Sequence, residues 1–536
     1  MEIVPGALTW ATLLGAVGFS YYYPFYVAIY ILVFDLFWVL KAVNTSMHLL
    51  SSFRKLKLHA TYDWPRRVSQ LSDLPAYINF LRTEAATGTR QKRVDFETEA
   101  ARLAAIDFSG RTLDWRQVYH LVLLPTYKES LELLDNSIRA ILESDYPKDR
   151  IFFVLATEER DYENAVRNGQ ELVGRYGKEF FRFRVIMHPD GTPGEVKAKG
   201  ANLTFACRQA TEELRVSGID PGNVVVSAFD SDTVVAKNYF SYLTYAFLTA
   251  EKPYRTSYQP MPVYNNNIWD APAITRVVAV ANSFWQMVEA SRPDRLVTFS
   301  SHAMSLLALL DVDFWPVNVI SDDSQIFFRC WLHYDGDYRT QPLFTNVSLD
   351  AMLDETYWKT LYGQYKQKRR WAWGVENFPY LVVGVIKRPK IPLWKKFLYI
   401  ERELEGKYFW ATASIMIAVL GWLPLLLGGE RFEEQVFAFN LPLLTRVIMQ
   451  ITTMFLIFSV YINMVLLPPR PAKYSRWRTA NMILQWVFVP LVSTVFGSVP
   501  AIDAQTRLML GKYMEFWVTP KARRTQIKEA AMIFSK

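Results

Sequence analysis

Val224-Val225-Val226-Ser227-Ala228-Phe229-Asp230-Ser231-Asp232 is the stretch on which the reading of this chain turns. A short β-branched run ends, and two carboxylates follow with one residue between them. On a strand that spacing puts both side chains on one side of the backbone, where they can share a divalent cation. A hard cation held by one or two carboxylates keeps positions open for the phosphate oxygens of a substrate. Taken alone, an Asp-x-Asp pair is more often a pair of solvated loop residues. It gains weight here because Asp322-Asp323 and Gln367-Lys368-Arg369-Arg370-Trp371 follow it in order.

At 536 residues the chain exceeds one ordinary globular core. It is 51% hydrophobic and 15% aromatic yet 21% charged, a mixture that fits a soluble domain joined to membrane helices. The net charge of +8 could suggest nucleic acid. The basic residues cluster beside apolar segments instead, as cytoplasmic membrane flanks do, and no zinc-finger or RNP signature is present, so nucleic acid is not an expected partner. Cys207 and Cys330 stand apart from each other and from any His cluster, which argues against disulfides and zinc sites and for a reducing compartment.

From Val4 to about Ala42 the chain is almost continuously apolar, broken near Tyr21-Tyr22-Tyr23-Pro24, and predicts two spanning helices. A signal peptide is the rival, but only Glu2 precedes the run and a second span follows at once. Asp35 lies inside the second span, a functional candidate or a carboxylate facing a partner helix. Lys41, Arg54, Lys55, Lys57, Arg66 and Arg67 mark the downstream side as cytoplasmic. Apolar spans return at Phe409 to Leu427 and about Leu441 to Leu467, separated by an acidic, external-looking loop at 428–434. Met482 to Val499 is apolar again. A single crossing there would leave the basic tail Lys521-Ala522-Arg523-Arg524 outside, so 482–518 is expected to re-enter or form a hairpin, with 503–518 lying in the interface. With about 18 residues after Val518, no appended regulatory domain is expected.

Between these flanks strand and helix patterns alternate. Val118–Leu124, Ile151–Leu155, Phe183–Met187 and Val224–Ala228 read as strands; Ser130–Glu143 and Asn202–Glu213 read as helices. That alternation predicts an α/β fold with an open, largely parallel sheet, whose ligands bind beyond the carboxyl ends of the strands. The expected organisation is an N-terminal helix pair with its cytoplasmic flank (1–60), a cytoplasmic α/β catalytic domain (61–400), and membrane and interfacial helices with a basic tail (401–536).

The ordered set Pro125-x-x-x-Glu129, Lys199-Gly200-Ala201-Asn202, Asp230-Ser231-Asp232, Ser321-Asp322-Asp323 and Gln367-x-x-Arg370-Trp371 resembles the motifs of membrane-embedded family 2 glycosyltransferases, the group of the cellulose, chitin and hyaluronan synthases. The likeness spans roughly residues 115 to 385, and its most specific element is Gln-x-x-Arg-Trp. It implies a GT-A-like catalytic domain inserted between transmembrane helices, in a multi-pass protein of the cytoplasmic membrane. It assigns Asp230 to the nucleotide and Asp232 to Mg2+ or Mn2+, with Asp230 close enough to share the metal. Asp323 takes the position of the general base, and Trp371 that of the terminal acceptor sugar. Thr126, Glu129, Lys199, Asn202, Gln367 and Arg370 fall on substrate-binding motif positions.

Physical chemistry supports these roles. A leaving diphosphate needs its charge neutralised, by a dication and by a guanidinium fork such as that of Arg370. An attacking hydroxyl needs a carboxylate free of metal to take its proton. Ser321 and Asp322 depart from the Thr-Glu of the family's Thr-Glu-Asp element, and Asp322 with Asp323 could also cap the helix beginning near Ser324. His302 stands where a small residue is usual, either a site residue or a satisfied structural histidine. Glu158 replaces the aspartates that commonly hold the nucleotide base, which leaves a uridine diphosphate sugar as the first expectation for the donor. Trp373 is either a second sugar platform or core.

The leading expectation is a processive polysaccharide synthase: a nucleotide-sugar donor in the cytosol, a growing polysaccharide at Trp371, and product threaded between the helices among membrane lipids. The alternatives are a non-processive enzyme adding one sugar to a lipid carrier to give a glycolipid, and an inactive channel or scaffold for export.

Overall fold

A computed structural model describes residues 1–517 and 519, apart from 419. The chain forms two compact units, each assembled from separate stretches: a sheet unit (52–262 and 289–349) and a helical unit (1–51, 263–288 and 350–536). The sequence reading placed its divisions at 60 and 400. Contacts instead assign 263–288 and 350–400 to the helical unit, so the Gln-x-x-Arg-Trp segment belongs there.

The sheet unit is built on β1 (Tyr119–Pro125), β2 (Ile151–Glu158), β3 (Arg182–His188), β4 (Val224–Ala228), β5 (Val234–Val235), β6 (Thr256–Tyr264), β7 (Ala303–Ser305) and β8 (Arg339–Leu349). Their order across the sheet is β3-β2-β1-β4-β7-β6-β8-β5. The first four are parallel, with Leu123 opposite Val154 on one side and Ala228 on the other. Beyond β4 the sheet turns antiparallel: β7 runs against β4 and β6, and β5 against β8. The largely parallel expectation therefore holds for half of the sheet. Strands of two and three residues such as β5 and β7 are too short to carry periodicity, which is why they escape sequence reading.

β1, β2 and β4 are buried along nearly their whole length, as strands covered on both faces must be, and they read as unbroken apolar runs. The helix Lys199–Val216 packs on β1, β2 and β3, and Asn202 donates its side-chain N–H to the Ala156 carbonyl of β2 at 2.9 Å. That bond fixes the start of the helix at the carboxyl ends of the strands. Gly200, in its first turn, lies so close to the loop before Asp322 that a Cβ would stand 2.5 Å from the Pro316 carbonyl oxygen. Gly200→Ala is therefore expected to force backbone apart, costing about 1–3 kcal/mol. A thermal melt of the full chain checks this, and an unchanged melt would remove the contact as a constraint.

A helical flank, 64–105, docks on the same unit through one buried cation. The Arg67 guanidinium lies over Tyr62, Trp64 and Tyr245 and donates from Nε to the Tyr77 hydroxyl at 2.7 Å. Trp64 stacks on Tyr242 with ring centroids 3.8 Å apart.

In the helical unit the break at Tyr23-Pro24 appears as expected, between the helices Ile3–Tyr22 and Pro24–His59. Among the described residues three helices are long and apolar enough to cross a membrane: these two and the run Arg476–Met509. A fourth is Leu393–Ala418 with Leu420–Leu427 if that pair, bent by 47°, counts as one span. Asp35 is buried in the unit. Val436–Leu466 is helical, covering the span expected at 441–467.

The run Arg476–Met509 takes in the first part of 503–518, the stretch expected to lie in the interface. Helix continues through Met509, and its charges are paired rather than solvated: Asp503 accepts from Arg369 at 2.8 Å, Tyr365 at 3.0 Å and Arg507 at 2.7 Å. The basic tail Lys521-Ala522-Arg523-Arg524 lies outside the described residues.

Candidate active site

β4 delivers the acidic pair. Phe229 N–H donates to Leu123 O of β1 at 3.0 Å, and Ala228 N–H to His302 O at 3.0 Å, so the backbone is held up to the first carboxylate. The turn then closes on itself. Asp230 N–H donates to the Thr233 hydroxyl and Thr233 N–H to the Asp230 carbonyl, both at 3.0 Å. Asp232 is buried at this strand end.

Lys199 organises the centre. Its Nζ donates to Asp230 Oδ1 at 2.7 Å and to Asp323 Oδ1 at 3.1 Å, which brings together three residues far apart in sequence. Burial works against its charge, but Asp230, Asp323 and Asp322 outweigh it and hold the ammonium above its usual range. The second oxygen of Asp230 accepts from the Ser300 hydroxyl. Neither the bridging by Lys199 nor the part of Ser300 was legible in the motifs, because both arise from long-range packing.

The two neighbouring aspartates are placed differently. Both lie in the first turn of the helix Asp322–His333, just after the cap position at Ser321 rather than at it, so the helix starts earlier than the expected Ser324 and neither aspartate is its cap. Asp323 keeps 27% of its side chain exposed, within reach of an acceptor. Asp322 is buried with Oδ2 lacking a partner, and burial together with Asp323 pushes its carboxyl well above the usual range. Its charged form is thus disfavoured, which sets it apart from its more exposed neighbour.

His302, a candidate substrate contact, has its ring fully engaged inside the protein. Trp315 Nε1–H donates to His302 Nε2 at 3.1 Å, which leaves the proton on Nδ1 for the Phe299 carbonyl at 2.8 Å. Burial lowers its pKa, consistent with this neutral form. His302 therefore shapes the Phe299–Ser301 loop and lies 3.7 Å from Asp323. Trp315, its partner, carried no sequence signal.

On the nucleotide side, Glu129 is tied into the scaffold. It accepts from Thr126 Oγ1 at 2.9 Å, from Tyr127 N–H, and from Ser231 Oγ at 2.9 Å, joining the end of β1 to the acidic turn. Lys128, between them, adopts a positive φ of 66°. Glu158, the expected base-binding substitute, pairs with Arg160, whose guanidinium lies 3.9 Å from the Tyr127 ring centroid. The Arg160–Tyr127 contact was not foreseen.

In the helical unit, Gln367, Arg370 and Trp371 lie on the helix Tyr357–Ala372. Gln367 is buried and accepts from Gln364 at 2.9 Å. Arg370 lies over the Phe516 ring at 4.8 Å, and Trp371 meets Tyr264 with centroids 5.8 Å apart. Trp373 is core: it is buried and donates to Glu376 at 2.9 Å.

Among the described residues no group of three or more His, Cys, Asp or Glu is placed to hold a metal ion. The two carboxylates of the acidic turn fit a hard dication of the magnesium type, which takes one or two protein carboxylates and completes its shell with substrate phosphates and water.

Residues 225–468 match the family model described as Glycosyl transferase family group 2, a stretch that contains the acidic turn, Asp323 and Gln367-x-x-Arg370-Trp371. No curated protein matches the chain. Among solved structures, the chain is similar to the mannosyltransferase PcManGT from Pyrobaculum calidifontis in complex with GDP-Man and Mn2+, at 15% identity and a TM-score of 0.40, over 82% of this chain and 100% of that one. It is also similar to S. aureus TarS 1-349, at 12% identity and a TM-score of 0.35, over 75% and 94% of the two chains. The complex of TarS 1-349 with UDP-GlcNAc gives 10% identity and a TM-score of 0.36, over 75% and 95%.

Proposed function

We propose that the chain is an inverting, nucleotide-sugar-dependent glycosyltransferase of the cytoplasmic membrane, with its sheet unit in the cytosol and polysaccharide as its product. The observation that carries the reaction is the Lys199 bridge, which sets a donor-side carboxylate, Asp230, against an exposed candidate base, Asp323. Asp323 takes the proton of the acceptor hydroxyl as that oxygen bonds to the anomeric carbon. The bond from that carbon to the diphosphate oxygen breaks, and the electron pair leaves with the nucleoside diphosphate. Lys199, already protonated, gains freedom to follow the leaving charge once Asp323 has been neutralised. Mg2+ or Mn2+ bound through Asp232, with Asp230 beside it, would supply electrostatic stabilisation of the diphosphate. Thr126, Glu129, Glu158 and Asn202 shape the nucleotide side, and uridine is the first candidate base.

Extension of a polymer rests on the Gln-x-x-Arg-Trp helix, where Trp371 offers a flat face for a terminal sugar. Single addition to a lipid carrier is the second reading, favoured by an apolar cavity in the helical unit. Purified chain with a panel of nucleotide sugars should release nucleoside diphosphate with one donor, lose that activity on chelation, and regain it with magnesium or manganese. Long product supports the polymerase reading and short glycolipid the second. No release with any donor would overturn both.

A further inference from the structure

The helical unit carries a half-open cavity of about 370 Å³, within the range of small-molecule sites. Its walls come mostly from apolar side chains, among them Trp38, Val278, Phe409, Ala413 and Phe496. The backbone opens it: residues Thr494–Ser498 of the run Arg476–Met509 form one wide π-type turn, and Phe496, Gly497 and Ser498 of that turn line the space. Such turns inside long helices recur at functional sites.

The polar groups of the lining are of two kinds. The Ser414 and Ser498 hydroxyls bond each other and nearby backbone: they share a 2.7 Å bond, Ser414 also reaches Ser493 O at 3.1 Å, and Ser498 reaches Trp410 O at 3.0 Å. Lys368 differs. Its ammonium lies 4.8 Å from the Trp410 centroid and 5.2 Å from that of Trp371, and it donates to Asn282 Oδ1 at 3.2 Å. Among the described residues no carboxylate lies in ion-pair contact with it. An ammonium carries three donors, so one neutral acceptor leaves it short of partners. Burial lowers its pKa to about 8, and an anion brought to it would reverse that shift.

These features select the occupant. A sugar would bring many hydroxyls into a lining with few groups to receive them, at a cost for each one unpaired. A neutral lipid would satisfy the walls and leave the ammonium stranded. We propose that this cavity binds a membrane lipid with an anionic phosphate head, the head paired with Lys368 and the apolar chain filling the space beneath the wide turn. Lys368 lies between Gln367 and Arg370 on one helix, so the lipid head contacts the helix that bears the Gln-x-x-Arg-Trp residues. The site holds whether the acceptor is a polymer or a lipid.

The test is retention of lipid by the purified full chain in detergent, read by native mass spectrometry. Wild type should hold phosphatidic acid about tenfold more tightly than diacylglycerol of the same chains, equivalent to about 1.4 kcal/mol. Lys368→Gln should lose that preference and Lys368→Arg keep it. Gly497→Leu should exclude both lipids, because a Cβ at Gly497 meets nothing nearer than Val492 O at 3.9 Å and its side chain can enter the cavity without clash. Thermal melts establish that each variant is folded. Equal retention of the two lipids by wild type, or an unchanged preference in Lys368→Gln, overturns the proposal. Inorganic phosphate displacing phosphatidic acid at equal concentration would make this a free-phosphate site and overturn the lipid assignment. The readout needs no glycosyl transfer, so its failure is distinct from failure of the proposed reaction.

Discussion

Asp323→Asn is expected to abolish sugar transfer while nucleotide still binds. The substitution keeps the shape of the side chain, and the amide oxygen can still accept from Lys199, which donates to Asp323 Oδ1 at 3.1 Å. What is lost is the capacity to take a proton. Removal of a positioned general base costs typically 10²–10⁴-fold in rate. Nucleoside diphosphate release measures turnover, and calorimetry measures donor binding. Retained turnover would remove Asp323 as the base, and joint loss of both would make it a binding residue instead. Asp322→Asn separates the neighbours. Burial already disfavours its charged form, so the amide is expected to be better tolerated than the change at Asp323.

Lys199→Met should be nearly as damaging, by another route. The ammonium bridges Asp230 and Asp323, and its own side chain is only 12% exposed. Its removal leaves two carboxylates facing each other with no cation between them, beside the buried Asp322. Breaking a buried ion pair by deleting one partner costs about 3–5 kcal/mol, and here the loss falls on the geometry of the base. The expected result is a lower melting temperature together with loss of turnover. Lys199→Arg, which keeps the charge, should recover stability more fully than activity, since a planar guanidinium cannot repeat the point contact of an ammonium with two carboxylates. Full activity in Lys199→Met would show that the bridge has no part in the reaction.

Much of the scaffold could be read locally. The apolar runs Tyr119–Pro125, Ile151–Glu158 and Val224–Ala228 are strands because they are buried on both faces, and burial on both faces needs no partner information to appear in a sequence. The interruption at Tyr23-Pro24 was visible for a similar reason. The antiparallel half of the sheet was not: β5 and β7 are too short to have a period, and the longer β6 and β8 were not read as strands either. The pairing of Asp503 was not legible either, because its partners Tyr365 and Arg369 lie more than a hundred residues upstream.

The same division runs through the site. Sequence by itself determined which residue types were present: the acidic turn at a strand end, the paired aspartates and the Gln-x-x-Arg-Trp helix, all carried by local spacing. Only the tertiary structure decided what each does with its charge. Asp322 and Asp323 are neighbours of one type, yet one is buried against Gly200 while the other stays within reach of solvent. His302 turned out to be held by Trp315, and Lys199 to be shared by two carboxylates. Ionisation follows desolvation and the nearest opposite charge, and both are set by segments that meet only when the chain has folded.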